Sequence, residues 1–255
     1  MDERRVAIVT GSSSGIGAAT AKRLAGHGWR VVVNYSKSEA DAKQVVAACN
    51  QAGGEAIAVR ANVADDADCR RLAQAALDKW VRLDALVNNA GTTKFVKHPD
   101  LEGLSADDFL RIYRLNVVGP FQMARACAAA LKANKGAIVN TSSVAALLGT
   151  GSSIAYAASK AALNSLTFSL ARVLGPEVRV NAVCPGYVDT PWQVNALGAD
   201  GANKAAGRYA EMVPLKDYAR PEDIAETIVW LIEGARQVTG ETIYVDGGMH
   251  ISTPR

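Results

Sequence analysis

The sequence predicts an α/β domain built on a doubly wound parallel sheet, and three observations carry that expectation. Short apolar runs recur along the chain, several of them continuous rather than alternating, as in Val31–Asn34 and Val178–Val183; strands covered on both faces need no polar side. Ala- and Leu-rich segments long enough to be helices separate the runs. The β-then-α order persists throughout, with no second core, repeat or low-complexity linker, so one domain over 1–255 with right-handed crossovers is expected.

In chain order the strand runs are Val6–Thr10, Val31–Asn34, Ala56–Val59, Ala85–Asn88, Ala137–Thr141, Val178–Val183 and Thr242–Val245. Asp65–Trp80, Ala106–Ala133, Ile154–Leu174 and Pro221–Gly234 read as helices. Pro221-Glu222-Asp223 is a good helix start, because Pro fits the first turn and the acids face the positive end of the dipole. The segment 190–214, with Gly198, Gly201 and Gly207, reads as irregular. Connections in such folds are short, so a stretch this long suggests a lid or binding element.

Composition narrows the class. With 255 residues the chain buries about 75% of its unfolded surface and needs no disulfide or metal to fold. Hydrophobic residues are 49% and charged residues 21%, which excludes global disorder. Lys and Arg number 28 against 25 Asp and Glu, a net +3, and no basic run is longer than a pair. That argues against nucleic acid or an anionic membrane as partner. No apolar stretch spans a bilayer and Met1–Arg5 has no signal-peptide core, so a cytoplasmic protein is expected. Cys49, Cys69, Cys127 and Cys184 are scattered and read as small buried hydrophobes; His27, His98 and His250 show no ligand spacing, and no metal is expected.

The first turn reads as a phosphate cradle. The strand runs into Gly11-Ser12-Ser13-Ser14-Gly15-Ile16-Gly17 and a helix follows. Gly11 allows the sharp turn, Gly15 removes a Cβ where backbone approaches a pyrophosphate, and Gly17 lets the helix pack closely. Free N–H groups at the helix start favour an anion. The spacing is not the strict G-x-G-x-x-G. The second strand ends Asn34-Tyr35-Ser36-Lys37, without the Asp or Glu that would read a ribose 2′-hydroxyl. Ser36 and Lys37 could instead bond and neutralise a 2′-phosphate, so NADP(H) is preferred to NAD(H), which stays open.

Tyr156-Ala157-Ala158-Ser159-Lys160 puts Tyr and Lys on one helix face. A phenol with pKa about 10 exchanges protons poorly at neutral pH, and a nearby ammonium would lower it. A shift of about three units needs roughly 4 kcal/mol. Ser143 follows the fifth strand run, at the sheet edge where ligands bind, and could donate to a substrate oxygen.

Taken together the motifs resemble the classical short-chain dehydrogenase/reductase family. Thr10–Gly17 is similar to its T-G-x-x-x-G-x-G motif and Asn88-Asn89-Ala90-Gly91 to its N-N-A-G signature. Asn116, Ser143, Tyr156 and Lys160 match its catalytic set, with the usual Ser-to-Tyr separation of 13. Pro185-Gly186-Tyr187-Val188-Asp189-Thr190 resembles its P-G-x-x-x-T segment, and Val238-Thr239-Gly240 with Val245–Gly248 its C-terminal signature. The matches run from residue 6 to 248 in the family's order.

The resemblance implies a single-domain Rossmann fold with a seven-stranded parallel sheet. It implies that Tyr156 is general acid or base, that Lys160 lowers its pKa and bonds the nicotinamide ribose, that Ser143 orients the substrate oxygen, and that Asn116 holds a relay water. Val188 and Thr190, beside Pro185 and Gly186, would contact the carboxamide; Asn89, Ala90 and Gly91 would line the adenosine side. Asn62-Val63 stands where the family often has Asp-Val, and adenine contact should survive. Ser13, Ser14 and Ile16 complete the cradle.

The substrate pocket is expected from Thr93–His98, Ala145–Ser153, Tyr187 and 190–214, with Val96, Leu147, Leu148, Tyr187, Trp192 and Met212 making it apolar. An NADPH-dependent reductase of a ketone or 3-oxoacyl-type substrate is the first reading. An NAD-dependent sugar, polyol or hydroxysteroid-like dehydrogenase and a non-catalytic scaffold are the alternatives. A carrier-protein partner is not favoured, because Lys132-Ala133-Asn134-Lys135 and Leu174–Glu177 are only partly basic. The resemblance also implies a homotetramer or dimer, for which Ala126, Ala128, Ala129, Ala130, Ala157, Ala161 and Ala162 would allow close helix approach.

Overall fold

Side chains alternate across β1 (Val6–Val9), so Ala7 and Val9 enter one apolar layer while Val6 and Ile8 enter another. That two-sided burial organises the computed structural model, which describes residues 4–252. Met1–Glu3, part of the N-terminal run considered above, lie outside the described residues.

After β1 the chain forms α1 (Gly15–Gly26), β2 (Arg30–Tyr35), α2 (Glu39–Gln51), β3 (Glu55–Arg60), α3 (Asp66–Trp80) and β4 (Ala85–Asn88). The second half forms α4 (Ala106–Tyr113), α5 (Gly119–Ala133), β5 (Ala137–Thr141), α6 (Ala145–Leu148), α7 (Ile154–Leu174), β6 (Arg179–Pro185), α8 (Pro191–Met212), α9 (Pro221–Glu233) and β7 (Thr242–Val245). The described strands make one parallel sheet in the order β3-β2-β1-β4-β5-β6-β7. This is the seven-stranded Rossmann arrangement expected from the sequence. Leu24, Val45 and Ile228 of α1, α2 and α9 cover one face; Leu72, Met123 and Leu170 of α3, α5 and α7 cover the other. Strand order reverses between β1 and β4, which opens a crevice at the carboxyl edge.

Two segments differ from the sequence reading. The expected helix Ala106–Ala133 is broken by a π-helical turn at Arg114–Val118. Pro120 has no N–H to return to the carbonyl of Asn116, and the buried Asn116 amide is drawn out of the helix toward Thr92. The segment 190–214 is not irregular: Pro191–Met212 is helical, interrupted at Gly198 (φ 71°, ψ 165°). Pro191 starts it in the first turn, and Ala202 and Ala206 bury its second half. Among the described residues no helix is long and apolar enough to cross a membrane.

Candidate active site

The glycine loop between β1 and α1 is held by neighbouring polar groups. The Thr10 hydroxyl donates to Val87 O and accepts from the amides of Asn89 and Ala90. The Asn89 side chain donates to the carbonyls of Thr10 and Gly11. A Cβ on Gly17 would lie 2.6 Å from Gly11 O and the Asn89 amide nitrogen, so α1 can start this close to the loop only with glycine. Gly11, at φ +60°, would bring a Cβ to 2.8 Å from the Ala90 backbone. Ser14 precedes α1 without a side-chain cap, leaving the helix-start N–H groups directed at the crevice.

This crevice is a cleft of about 350 Å³. Gly11, Ser13, Ser14, Gly15 and Ile16 form its cradle; Asn34, Ser36, Asn62 and Val63 flank one end. Asn89, Ala90 and Gly91 face Pro185, Gly186, Val188 and Thr190, and Ser143, Tyr156, Lys160 and Trp192 close the other end. Among the described residues Lys160 is the one charged side chain in the lining, so an anionic dinucleotide meets no carboxylate there. The donor set and the glycine cradle therefore fit a nicotinamide dinucleotide.

Some expected residues stand elsewhere. Gly17 packs behind the cradle, while Tyr35 is buried in the core and Lys37 lies outside the lining. Asn34 reaches the cleft, yet its amide is spent on Gly11 N and on the carbonyls of Tyr35, Val59 and Ala61. Tyr187 turns away: its hydroxyl donates to Ala202 O at 2.9 Å, and its ring packs against Tyr209 and Tyr218. Thr93–His98 and Ala145–Ser153 are also outside, tied to each other through Thr93 and Ser152 hydroxyls 2.6 Å apart and Val96 N donating to Ser152 O. Leu147 and Met212 are exposed, and of the expected apolar set only Trp192 lines the cleft.

The catalytic candidates converge from three elements. Ser143 follows β5. Tyr156 and Lys160 share α7, whose start is capped by Ser153 accepting the Tyr156 amide. The Trp192 ring meets the Tyr156 ring edge-on at 6.5 Å. Asn116 sits behind: its side chain accepts from Thr92 N and donates to Thr92 O and Ser159 Oγ.

Electrostatics correct one expectation. Burial pushes the Tyr156 phenol up to about 12, against the opposing pull of the Ser143 hydroxyl. Burial also pulls the Lys160 ammonium down to about 8. The ammonium donates to Thr141 O at 2.7 Å and lies over the Tyr156 ring, 5.6 Å from its centre. In this state Lys160 does not acidify the phenol.

Leu115, Thr141, Ser142 and Gln193 also line the cleft and were not singled out from sequence. Thr141 ends β5 and Ser142 follows it, and strand ends at the crevice are the signal that would have found them. The cysteines are buried and free. Asp246 accepts from the amides of Gly248 and His250, fixing the C-terminal turn.

Comparison with known proteins follows the same line. A family model described as Enoyl-(Acyl carrier protein) reductase matches residues 11–250. The chain is 43% identical over 250 residues to a protein of Streptomyces violaceoruber named as the proposed ketoacyl reductase 2 of the granaticin polyketide synthase, covering 98% of this chain and 97% of that one. The chain belongs to the classical short-chain dehydrogenase/reductase family. Another member, a 3-oxoacyl-[acyl-carrier-protein] reductase of Synechocystis sp., is 41% identical over 249 residues, 96% of each chain. A proposed short-chain dehydrogenase/reductase from Burkholderia xenovorans superposes with a TM-score of 0.92 at 40% identity, covering 99% of this chain and 100% of that one. As a member of this family the protein is an NAD(P)-dependent oxidoreductase of carbonyl or alcohol groups.

Proposed function

We propose that the protein reduces a ketone or 3-oxoacyl-type carbonyl with NADPH. The observation that carries this reading is the Ser143–Tyr156–Lys160 set, with Lys160 buried and Ser143 and Tyr156 partly buried, at one end of a cleft without carboxylates. When bound, the dinucleotide supplies the hydride. Ser143 donates to the carbonyl oxygen, and Tyr156 gives its proton to the same oxygen as charge develops there. A phenol near 12 remains a sufficient acid for this step, because an alkoxide is about as basic as hydroxide, whose conjugate acid has a pKa of about 15.7. The phenol is the acid of the reduction, and its phenolate is the base of the reverse oxidation. Lys160, whose ammonium stands in the cleft lining, would bond the nicotinamide ribose. The Asn116 side chain is committed to Thr92 and Ser159, so its backbone carbonyl, which Pro120 cannot bond, would hold the relay water.

NADP(H) is preferred because Ser36 and no acid borders the cleft after β2. The helix 191–212 is the substrate lid, with Trp192 contacting substrate. A soluble homotetramer or dimer is proposed from the exposed Phe109, Phe121 and Phe168 on the neighbouring α4, α5 and α7.

The experiment is Tyr156→Phe, assayed by NADPH consumption across a panel of ketones and 3-oxoacyl thioesters. Turnover should fall at least about a hundredfold with NADPH affinity nearly unchanged. Undiminished turnover would refute Tyr156 as the acid, and faster turnover of sugars or polyols with NAD would refute the substrate class.

A further inference from the structure

We infer that Arg60, at the end of β3, is a specificity-determining residue that binds the 2′-phosphate of the dinucleotide. This deepens, and rests on, the NADP(H) preference proposed above. Parallel register pairs Arg60 with Tyr35, the residue before Ser36, and Ala61 N donates to Tyr35 O. From there the exposed Arg60 side chain crosses the strand end, and its Nε donates to the backbone carbonyl of Ser36 at 3.3 Å. Ser36 lines the cleft on one side of this contact, and Ala61 and Asn62 line it on the other. Neither Arg60 nor Lys37 is itself part of the lining, but the Arg60 guanidinium is anchored by its bond to the Ser36 carbonyl, between segments that are.

One donor of the fork fixes it to the backbone, and the two terminal nitrogens keep four N–H groups. That geometry matches a phosphate bidentately, which an ammonium cannot do. The neighbouring carboxylates are engaged by other cations: Glu39 by Lys43 at 2.8 Å and Asp68 by Arg71 at 2.7 Å. Among the described residues Arg60 itself forms no ion pair. A positive group thus stands beside the ribose end of the cleft with its charge available for an incoming anion.

Adenosine 2′,5′-bisphosphate and adenosine 5′-monophosphate differ only by the 2′-phosphate, and neither carries a nicotinamide. Calorimetric affinities of both for wild type, Arg60→Ala, Arg60→Lys and Lys37→Ala isolate the contact from catalysis. Wild type should gain from the 2′-phosphate. Arg60→Ala should shrink that gain at least about tenfold, as for a lost charge-assisted hydrogen bond. Arg60→Lys should recover part of it. The ratio of the two ligands is insensitive to a general loss of folded protein, and a melting curve of each variant checks this. A gain that survives Arg60→Ala with less than this loss overturns the role of Arg60 and leaves the NADP(H) reading standing. No gain in wild type overturns both.

Discussion

Burial raises the Tyr156 phenol to about 12 and lowers the Lys160 ammonium to about 8, and these opposite shifts carry a prediction for the cofactor-free protein. Phenolate absorbance attributable to Tyr156, taken as wild type minus Tyr156→Phe, should emerge only as pH approaches about 12 and should move to lower pH when oxidised dinucleotide is bound. Ionisation near neutrality in the cofactor-free protein would contradict the geometry, in which the ammonium bonds Thr141 O. Motif spacing alone suggested an acidic phenol, because four residues on a helix do bring Tyr and Lys together. Spacing does not say which acceptor the ammonium chooses, nor how deeply each group is buried.

Elements position these residues through few contacts, so single changes away from the chemistry should be felt in it. Ser153→Ala removes the cap on α7 and should cost about 1 kcal/mol. Since the capped amide is that of Tyr156, turnover should fall as well; a stability loss with unchanged kcat would show that the first turn holds without its cap. Gly17→Ala places a Cβ 2.6 Å from Gly11 O and should cost about 2 kcal/mol in thermal or urea denaturation, with dinucleotide affinity reduced. The π-helical turn around Asn116 has a similar origin. The segment Ala106–Ala133 reads as one helix in the sequence, and its break depends on Thr92 and Ser159, which reach Asn116 only in the folded chain.

At the scale of the molecule, Glu233 joins distant parts of the chain. Its carboxylate bonds Arg5, His27 and Trp29, tying α9 to the opening of the chain and to the α1–β2 corner. Burial raises its pKa, but bonds from His27 and Trp29 and the charge of Arg5 outweigh this, so the net shift is downward. A depressed folded value means the stabilisation is present above the ordinary Glu range, about 4.3, and is lost as pH falls through the folded value. The melting-temperature difference between wild type and Glu233→Gln should therefore be largest near neutral pH and shrink in acid; a constant difference would assign the effect to packing. Light scattering tests the assembly: a monomer at micromolar concentration would leave the exposed Phe109, Phe121 and Phe168 unexplained by self-association.

By itself the sequence determined the sheet, the glycine turn and the shared helix of Tyr156 and Lys160, because each is written in local chemistry: continuous apolar runs, glycines at a strand end, and Tyr and Lys one helical turn apart. Tertiary structure decided what depends on partners far away in the chain. It turned Tyr187 toward Ala202 rather than the cleft, made Pro191–Met212 helical by burying Ala202 and Ala206, and joined loops 93–98 and 145–153 to each other outside the lining. It also set Arg60 against Ser36. Hydrogen-bond choice and dehydration are properties of the packed chain, and no spacing of residues along a sequence encodes them.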